Sequence, residues 1–286
     1  MGRIYSGISG PDIGIQRNLL NASNQLQQVT GRLATLQRIN QGSDDPAGLI
    51  AAETIRAELE AIDAANSNAA RAGAVVATAD SALSQVSGLI NTIEDAIVAN
   101  AGGGLSEAET AAYQLEVDAA IEAINRIGSQ ANLAGQSLLD GSASELSFLL
   151  AANPADTVTL ELPTVSSYEL GNADGTLADL ASGGSLSLAS GESTAAQGVL
   201  DAARGAINSA RGSLGAFEKT TIEASTGLID SMYSSLSSAY SSIMDADVAM
   251  EAASLVQSEL VLQAAYATLQ VAGDRHRMTG LLLDAI

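Results

Sequence analysis

Apolar residues recur at a fixed spacing near both ends of the chain. From residue 15 they alternate four and three positions apart, and near the C-terminus they stand seven apart. This spacing keeps one face of a helix apolar and is typical of a coiled-coil seam. The N-terminal seam consists of Ile15, Leu19, Ala22, Leu26, Val29, Leu33 and Leu36. The C-terminal seam consists of Val248, Leu255, Leu262 and Leu269.

Two further seams lie between the terminal ones. The first consists of Ile55, Ile62, Ala69, Val76, Leu83, Ile90 and Ile97, and the second of Ile222, Ile229, Leu236 and Ile243. A helix over residues 45–100 would be about 84 Å long at ~1.5 Å per residue, so it needs helical neighbours along its whole length. Gly102–Gly104 predict its end, and Ser106 with Glu109 predicts a capping box that starts the next helix.

A polar break, "RINQGSDDPAGL" (38–49), separates the first two seams. Gly42 is predicted to end the first helix, and either Ser43 or Asp45 can cap the second. Pro46 then occupies the first helical turn, where its missing N–H costs nothing. The acids next to it favour the positive end of the helix dipole.

The composition changes after residue 140. Residues 141–191 are rich in Ser, Gly, Thr and Asp, with short alternating runs such as "DTVTLELP" that predict hairpins. We therefore expect a mainly α protein. Its long N- and C-terminal helices pair in a coiled-coil-like bundle, and a small β-hairpin insert lies in the middle.

Charge and composition exclude several classes of function. The net charge is −21, which argues against nucleic-acid binding. Residues 57–250 carry 25 of the 33 acids but only 5 of the 12 bases, so the two ends are nearly neutral. The chain has no cysteine, which excludes disulfides and thiolate metal sites. We expect neither a cleaved secretory signal nor a membrane-inserted segment.

Few residues suggest a catalytic or metal site. Asp44 and Asp45 are adjacent and point apart, so helix capping or a contact between subunits explains them better than catalysis. Asp245 and Asp247 lack the oxygen-rich loop that a hard cation needs. His276 is the one histidine, and no nucleophile accompanies it in the sequence. We expect no enzymatic activity, no metal and no cofactor.

Five motifs resemble those of bacterial flagellins, in the same order and at similar distances. They are "QRNL" (16–19), "RINQGSDDPAGL" (38–49), "GQSLLDG" (135–141), "LGAFE" (214–218) and "IMDADVA" (243–249). Any one of them would be a weak signal, but five in order are strong. The chain departs from the family at Leu133-Ala134, where flagellins usually have Phe-Asn, and at Met244, where they usually have Arg.

The resemblance implies a structural subunit of the extracellular bacterial flagellar filament, with a part in swimming motility. Residues 1–42 and 244–286 would form the inner tube and the spoke, and residues 43–140 and 193–243 the outer tube. Residues 141–192 would be the variable insert, which faces solvent. In flagellins the 38–49 break is the spoke between the two tubes, so Arg38, Asn40, Gly42, Ser43, Asp44, Asp45 and Pro46 are its candidate residues.

The resemblance also implies partners and an export route. These are other copies of the chain in a helical filament, other flagellins, the filament cap, hook-junction proteins and an export chaperone. Flagellins leave the cell unfolded through a type III export channel, which fits a chain without cysteine or cleaved signal. The alternative is a hook–filament junction protein, and an enzyme carried on an exported surface is a third possibility.

One departure concerns immune recognition. Flagellins detected by the mammalian Toll-like flagellin receptor carry Arg, Leu and Glu at positions that match Thr92, Ala96 and Glu116. Only the Glu is kept here, and loss of the other two removes strong interface anchors. The sequence therefore predicts weak activation of that receptor.

Overall fold

The computed structural model describes residues 10–142, 145–151 and 156–284, and its chain divides into two compact units. The first unit comprises the chain up to residue 59 and from residue 235 onward, and the second comprises residues 60–234. The helices are α1 (Gly10–Thr35), α2 (Pro46–Ala101), α3 (Glu107–Gln130), α4 (Ser193–Phe217), α5 (Glu223–Met244) and α6 (Val248–Asp284). Helices α2 and α5 each contribute residues to both units.

In the first unit the two terminal helices, α1 and α6, pack against each other. Ala22 and Val29 of α1 are buried in this contact, and Arg32 forms an ion pair with Glu251 of α6 at 3.3 Å. The paired terminal helices that the seams predicted are therefore confirmed.

The first helix ends earlier than the sequence predicted. Helix α1 stops at Thr35, and Leu36 takes a left-handed backbone conformation with φ of 58°. One expectation is therefore wrong, because Gly42 does not end the helix. Leu36 lies one residue beyond α1 and is 56% exposed. The reason is long-range, because the carbonyl of Leu36 accepts a hydrogen bond from the amide of Ala246, which replaces the next helical turn.

In the second unit, α2, α3 and α4 share one apolar core. The predicted capping box at the start of α3 is confirmed, since Ser106 and Glu109 bond to each other's backbone amides. Gly103 and Gly104 adopt positive φ in the turn before it. Across the helices, Arg211 pairs with Asp80 at 2.8 Å.

The predicted insert contains hairpins, as expected. Strands β3 (Glu145–Leu149) and β4 (Thr157–Glu161) pair antiparallel, with Phe148 opposite Val158. Burial alternates along β3, which is the period of a half-buried strand. A shorter hairpin joins β5 (Gly171–Asn172) to β6 (Gly175–Thr176). The sequence missed the hairpin of β1 (Asn132–Leu133) and β2 (Gln136–Ser137), since two residues show no periodicity.

The insert is part of the core. Apolar side chains from the insert and the segment leading into it pack in the same cluster as α2, α3 and α4: Leu139, Leu146, Phe148, Leu160, Leu162, Leu170, Leu177 and Leu180. Polar side chains of α3 also hold the backbone of the insert in place. Gln114 donates to the carbonyl of Leu180 and accepts from the amide of Leu188, at 2.9 and 2.8 Å.

The approach of the insert to α3 is close. A Cβ at Gly128 would overlap the carbonyl oxygen of Val165. Nearby, the Asn125 side chain exchanges two hydrogen bonds with Ser167, at 2.8 and 3.0 Å. Only glycine fits at position 128 without moving the insert.

Another local irregularity lies between α4 and α5. Residues Glu218–Ile222 form a single π-helical turn, which the heptad spacing did not predict. Ile222, the last residue of this turn, is nevertheless buried in the core of the second unit.

Candidate assembly sites

The α1–α6 pair leaves much of its apolar surface exposed. Val256 and Leu260 of α6 are 56% and 60% exposed, and Leu20 of α1 is 63% exposed. Further exposed apolar side chains of α6 are Val248, Met250, Val261, Tyr266, Val271 and Met278. Such a helix, apolar on more than the face that touches its partner, needs more neighbours than one.

The predicted inner-tube residues lie at three depths. Val29 is buried, whereas seven others are half-buried: Ile15, Leu19, Leu26, Leu33, Leu255, Leu262 and Leu269. Leu36 and Val248 are exposed. A seam that is half-buried in one copy has area left for contact with another chain.

The predicted outer-tube residues are more deeply placed. Six are buried at 4% exposure or less in the second unit: Ile62, Val76, Leu83, Ile90, Ile97 and Ile229. Ile222 is 8% exposed, and Ile55 and Leu236 are half-buried. The seven buried positions are satisfied within one chain, in contrast to most of the terminal seams.

A junction of residues 36–45 with residues 243–247 lies at the end of the α1–α6 pair. Gln37 and Asp245 form an isolated antiparallel bridge. The amide of Arg38 donates to the carbonyl of Met244 at 2.6 Å. The Arg38 guanidinium donates twice to the carbonyl of Ile243, at 3.1 and 2.7 Å, and so satisfies the end of α5.

Asp44 organises the loop of the junction. One carboxylate oxygen accepts from the amides of Asn40 and Gln41, both at 3.0 Å, and the other accepts from the Gln28 side chain at 3.3 Å. The backbone hydrogen bond from Asn40, followed by that from Gln41, lowers the pKa of Asp44 from its ordinary value. Arg32 adds a smaller attraction.

Helix α2 begins at Pro46, after Asp45. The Asp45 carboxylate accepts from the amide of Gly48 at 2.9 Å, which is the bond of an N-cap. Of the two candidate caps, Asp45 therefore holds the position, and Ser43 is an exposed loop residue like Gly42.

Sequence reasoning missed two features of the junction. A Cβ on Gly48 would lie 2.8 Å from the Cγ of Asp45 and 2.9 Å from the Cδ1 of Ile39, so a methyl group there would displace the capping carboxylate and the Ile39 side chain. Ile39, Ala52 and Met244 form a small apolar cluster of their own. The departure at Met244 was the available signal, because an apolar residue there can be buried where an Arg could not.

The three positions that match the receptor-binding residues differ in accessibility. Ala96 is buried at 2% exposure in the core of the second unit. Thr92 is half-buried and bonds to the carbonyl of Gly88 in its own helix, and Glu116 is exposed.

The acidic side chains of the described residues do not form a metal site. Within residues 10–142, 145–151 and 156–284, no group of three His, Asp or Glu side chains is placed to hold a metal ion. Asp245 instead accepts from the hydroxyl of Ser241, and Asp247 caps the first turn of α6. Nothing is described of the His276 side chain. None of the described helices is long and apolar enough to cross a membrane.

Comparison with known proteins identifies the family. Residues 11–144 match the bacterial flagellin N-terminal helical region, and residues 198–276 match the bacterial flagellin C-terminal helical region. The two matches stand in the family's order and together span most of the chain. The chain belongs to the bacterial flagellin family.

Parts of the chain are similar to individual flagellins. B-type flagellin of Pseudomonas aeruginosa is 33% identical over 160 residues, which cover 56% of this chain and 33% of the relative. Polar flagellin F of Vibrio parahaemolyticus is 31% identical over 150 residues, covering 52% and 40% of the two chains. The crystal structure of Bacillus cereus flagellin superposes with a TM-score of 0.45 and 21% identity, over 58% of this chain and 88% of that one. The matches to the Pseudomonas and Vibrio flagellins span less than half the length of those two curated relatives.

Proposed function

We propose that this chain is a structural subunit that polymerises into the extracellular filament of the bacterial flagellum and so serves swimming motility. The observation that carries the proposal is the apolar surface of α1 and α6 that faces away from their mutual contact. Membership in the flagellin family supports the same function. Full burial of each large apolar side chain would contribute ~1.5–3 kcal/mol, and neighbouring copies can supply that burial.

The mechanism is assembly coupled to burial. Residues 1–42 and 244–286 form the inner tube, where the half-buried seams of several copies meet. Residues 43–140 and 193–243 form the outer tube, whose seam residues are mostly buried within one chain already. Residues 141–192 form the outward part. The junction lets one chain contribute to both layers, because it joins α1 to α2 and α5 to α6 at one place.

The test is seeded polymerisation of the purified chain, followed by electron microscopy. We expect long tubes from the unaltered chain and none from the double variant Val256→Ser, Leu260→Ser. Both side chains are exposed, so the variant should keep the helical content of the free subunit. Glu259→Ser, an exposed polar change on the same helix, is the matched control and should polymerise normally.

Monomers or short rings from the unaltered chain would contradict the proposal. Short rings would point to a junction protein between hook and filament instead. Tubes from the double variant at the normal rate would show that this face of α6 is not what assembly buries.

Family membership is the support for the remaining parts of the proposal. The subunit is exported through the flagellar type III route with the help of a chaperone. It contacts other flagellins, the filament cap and hook-junction proteins, and has no catalytic role. Detection of hydrolytic activity in the purified chain would refute the last point.

A further inference from the structure

The second unit has an apolar cleft with a cation at its rim. The cleft has a volume of about 710 Å³ and lies between α2, the β1–β2 hairpin and β3. Its apolar wall includes Leu133, Leu146 and Phe148, and Asn68 and Arg71 of α2 complete it. We call it the Arg71 cleft.

Arg71 has an unusual electrostatic position. Most cations of the described chain pair with acids of the same chain, for example Arg32, Arg204 and Arg211. Among the Arg and Lys side chains that the structure describes, those without an ion pair are Arg17, Arg71 and Lys219. In a chain with a net charge of −21, an unpaired guanidinium beside an apolar cleft is a rare attractive point for an acidic group.

A complementary feature occurs elsewhere on the same unit. Tyr168 is 76% exposed, although Ser167 before it is 1% exposed and Leu170 after it is 5% exposed. Glu169 is exposed beside it. We call residues 166–170 the Tyr168 corner.

The corner is fixed in place. The amide of Leu170 donates to the carbonyl of Ser166 at 3.0 Å, and Ser167 exchanges two hydrogen bonds with Asn125 of α3. An aromatic ring and a carboxylate are therefore presented on a rigid turn, so that little further ordering is needed when they bind. Tyrosine is also a residue type that commonly anchors interfaces.

We propose that the Arg71 cleft of one subunit receives the Tyr168 corner of a second copy. The Tyr168 ring enters the apolar part of the cleft beside Phe148, and the Glu169 carboxylate pairs with the Arg71 guanidinium. Cleft and corner are different surfaces, so the contact is heterologous and can repeat without closing, as a helical polymer requires. This inference rests on the proposed assembly function and names one of its contacts.

Charge reversal tests the contact. The variants are Arg71→Glu, Glu169→Arg and the double variant, and the measurement is the critical concentration for seeded polymerisation by sedimentation. Each single variant places like charges together, so each should raise the critical concentration by about tenfold or more. The double variant should return it to the value of the unaltered chain.

An equimolar mixture of the two single variants distinguishes a specific contact from a general effect of charge. Each cleft then finds a corner of opposite charge in the other variant, so the mixture should polymerise where neither variant does alone. A non-specific effect of net charge predicts something else: Arg71→Glu would impair assembly, but Glu169→Arg would improve it, because it lowers the net negative charge.

Arg126→Glu and Asp174→Arg are the matched controls. They make charge changes of the same sign on exposed residues of the same unit and should shift the critical concentration less than about twofold. Normal assembly of Glu169→Arg, or impairment by the controls to the same degree, would overturn the inference while leaving filament assembly intact. Impairment by Arg71→Glu alone would mean that another acidic group occupies the cleft. Failure of the unaltered chain to polymerise would overturn both proposals.

Discussion

The guanidinium of Arg38 donates two hydrogen bonds to the backbone carbonyl of Ile243, which stands 205 positions later in the chain. It thereby places a positive charge at the C-terminal end of α5, where the helix dipole favours one. The arginine stands in the motif that separates two predicted helices, and its partner is a main-chain atom that no side-chain pattern reveals.

Loss of this contact should loosen the junction. Arg38→Met should cost about 1 kcal/mol locally, because the bonds are charge-assisted but the side chain is partly exposed. The measurement is hydrogen exchange of the Arg38 and Ala246 amides, whose protection should fall about fivefold. Arg56→Met, which removes a charge paired to Glu53 in its own helix, is the control and should leave both amides unchanged. Equal protection in both variants would contradict the role of Arg38.

The junction should also depend on pH through Asp44. The pKa of Asp44 is below 3.8 in the folded chain, so the unfolded chain binds more protons at acidic pH. Its contribution to stability is therefore present above 3.8 and lost as the pH falls through the folded pKa. An NMR titration of the Asp44 carboxyl carbon should give a midpoint below 3.8, and a midpoint at or above it would contradict the hydrogen bonds from Asn40 and Gln41.

Two glycine substitutions should act in opposite directions. Gly128→Ala should destabilise the second unit by about 1–3 kcal/mol, because the new methyl group meets the Val165 carbonyl, which is backbone and cannot turn aside. Gly88→Ala, on an exposed face of α2 with nothing nearby, should stabilise it by about 0.5–1 kcal/mol. Thermal unfolding followed by circular dichroism measures both. Equal changes in stability from the two substitutions would show that the insert moves to accommodate a methyl group at position 128.

The β1–β2 turn stores strain that a substitution should release. Ala134 has φ of 52° and Gly135 has φ of 83°, the conformation that favours Asn-Gly. Ala134→Asn should stabilise the second unit by about 1 kcal/mol, since Asn tolerates positive φ better than Ala. Ala134→Val should do the reverse, because a β-branched residue tolerates it least. Thermal melts that rank Val above Asn would contradict this backbone conformation.

The purified subunit should activate the mammalian Toll-like flagellin receptor weakly. Ala96 is buried and Thr92 is half-buried, so the two positions that differ from the receptor-binding pattern offer small and poorly accessible side chains. A reporter-cell assay measures the potency. Thr92→Arg should raise it, whereas ordinary potency from the unaltered chain would end the prediction.

The sequence predicted the helices well because heptad spacing is a local signal repeated over many turns. The capping box of Ser106 and Glu109 was equally readable, since both partners lie within four residues. The end of α1 could not be predicted in this way. The carbonyl of Leu36 bonds to the amide of Ala246, and no local pattern encodes a partner that far away.

The insert was misjudged for a related reason. Its composition of Ser, Gly and Thr predicts hairpins and loops that face solvent, but its scattered leucines, such as Leu177 and Leu180, are buried in the core shared with α2, α3 and α4. Burial of isolated leucines in irregular backbone has no period to detect. The cleft beside Arg71 was hidden as well, because only the folded chain brings β1, β3 and α2 together.

The bridge between Gln37 and Asp245 sets an order of events for folding. The backbone hydrogen bonds of residues 36–38 across the junction need residues 244–246, so the junction is a contact of very long sequence separation. Contacts of that kind form late, after local helices and hairpins, because closing a long loop costs entropy before it yields contacts. A growing polypeptide therefore adds 205 positions after Arg38 before it reaches Ile243, and until then the junction stays open.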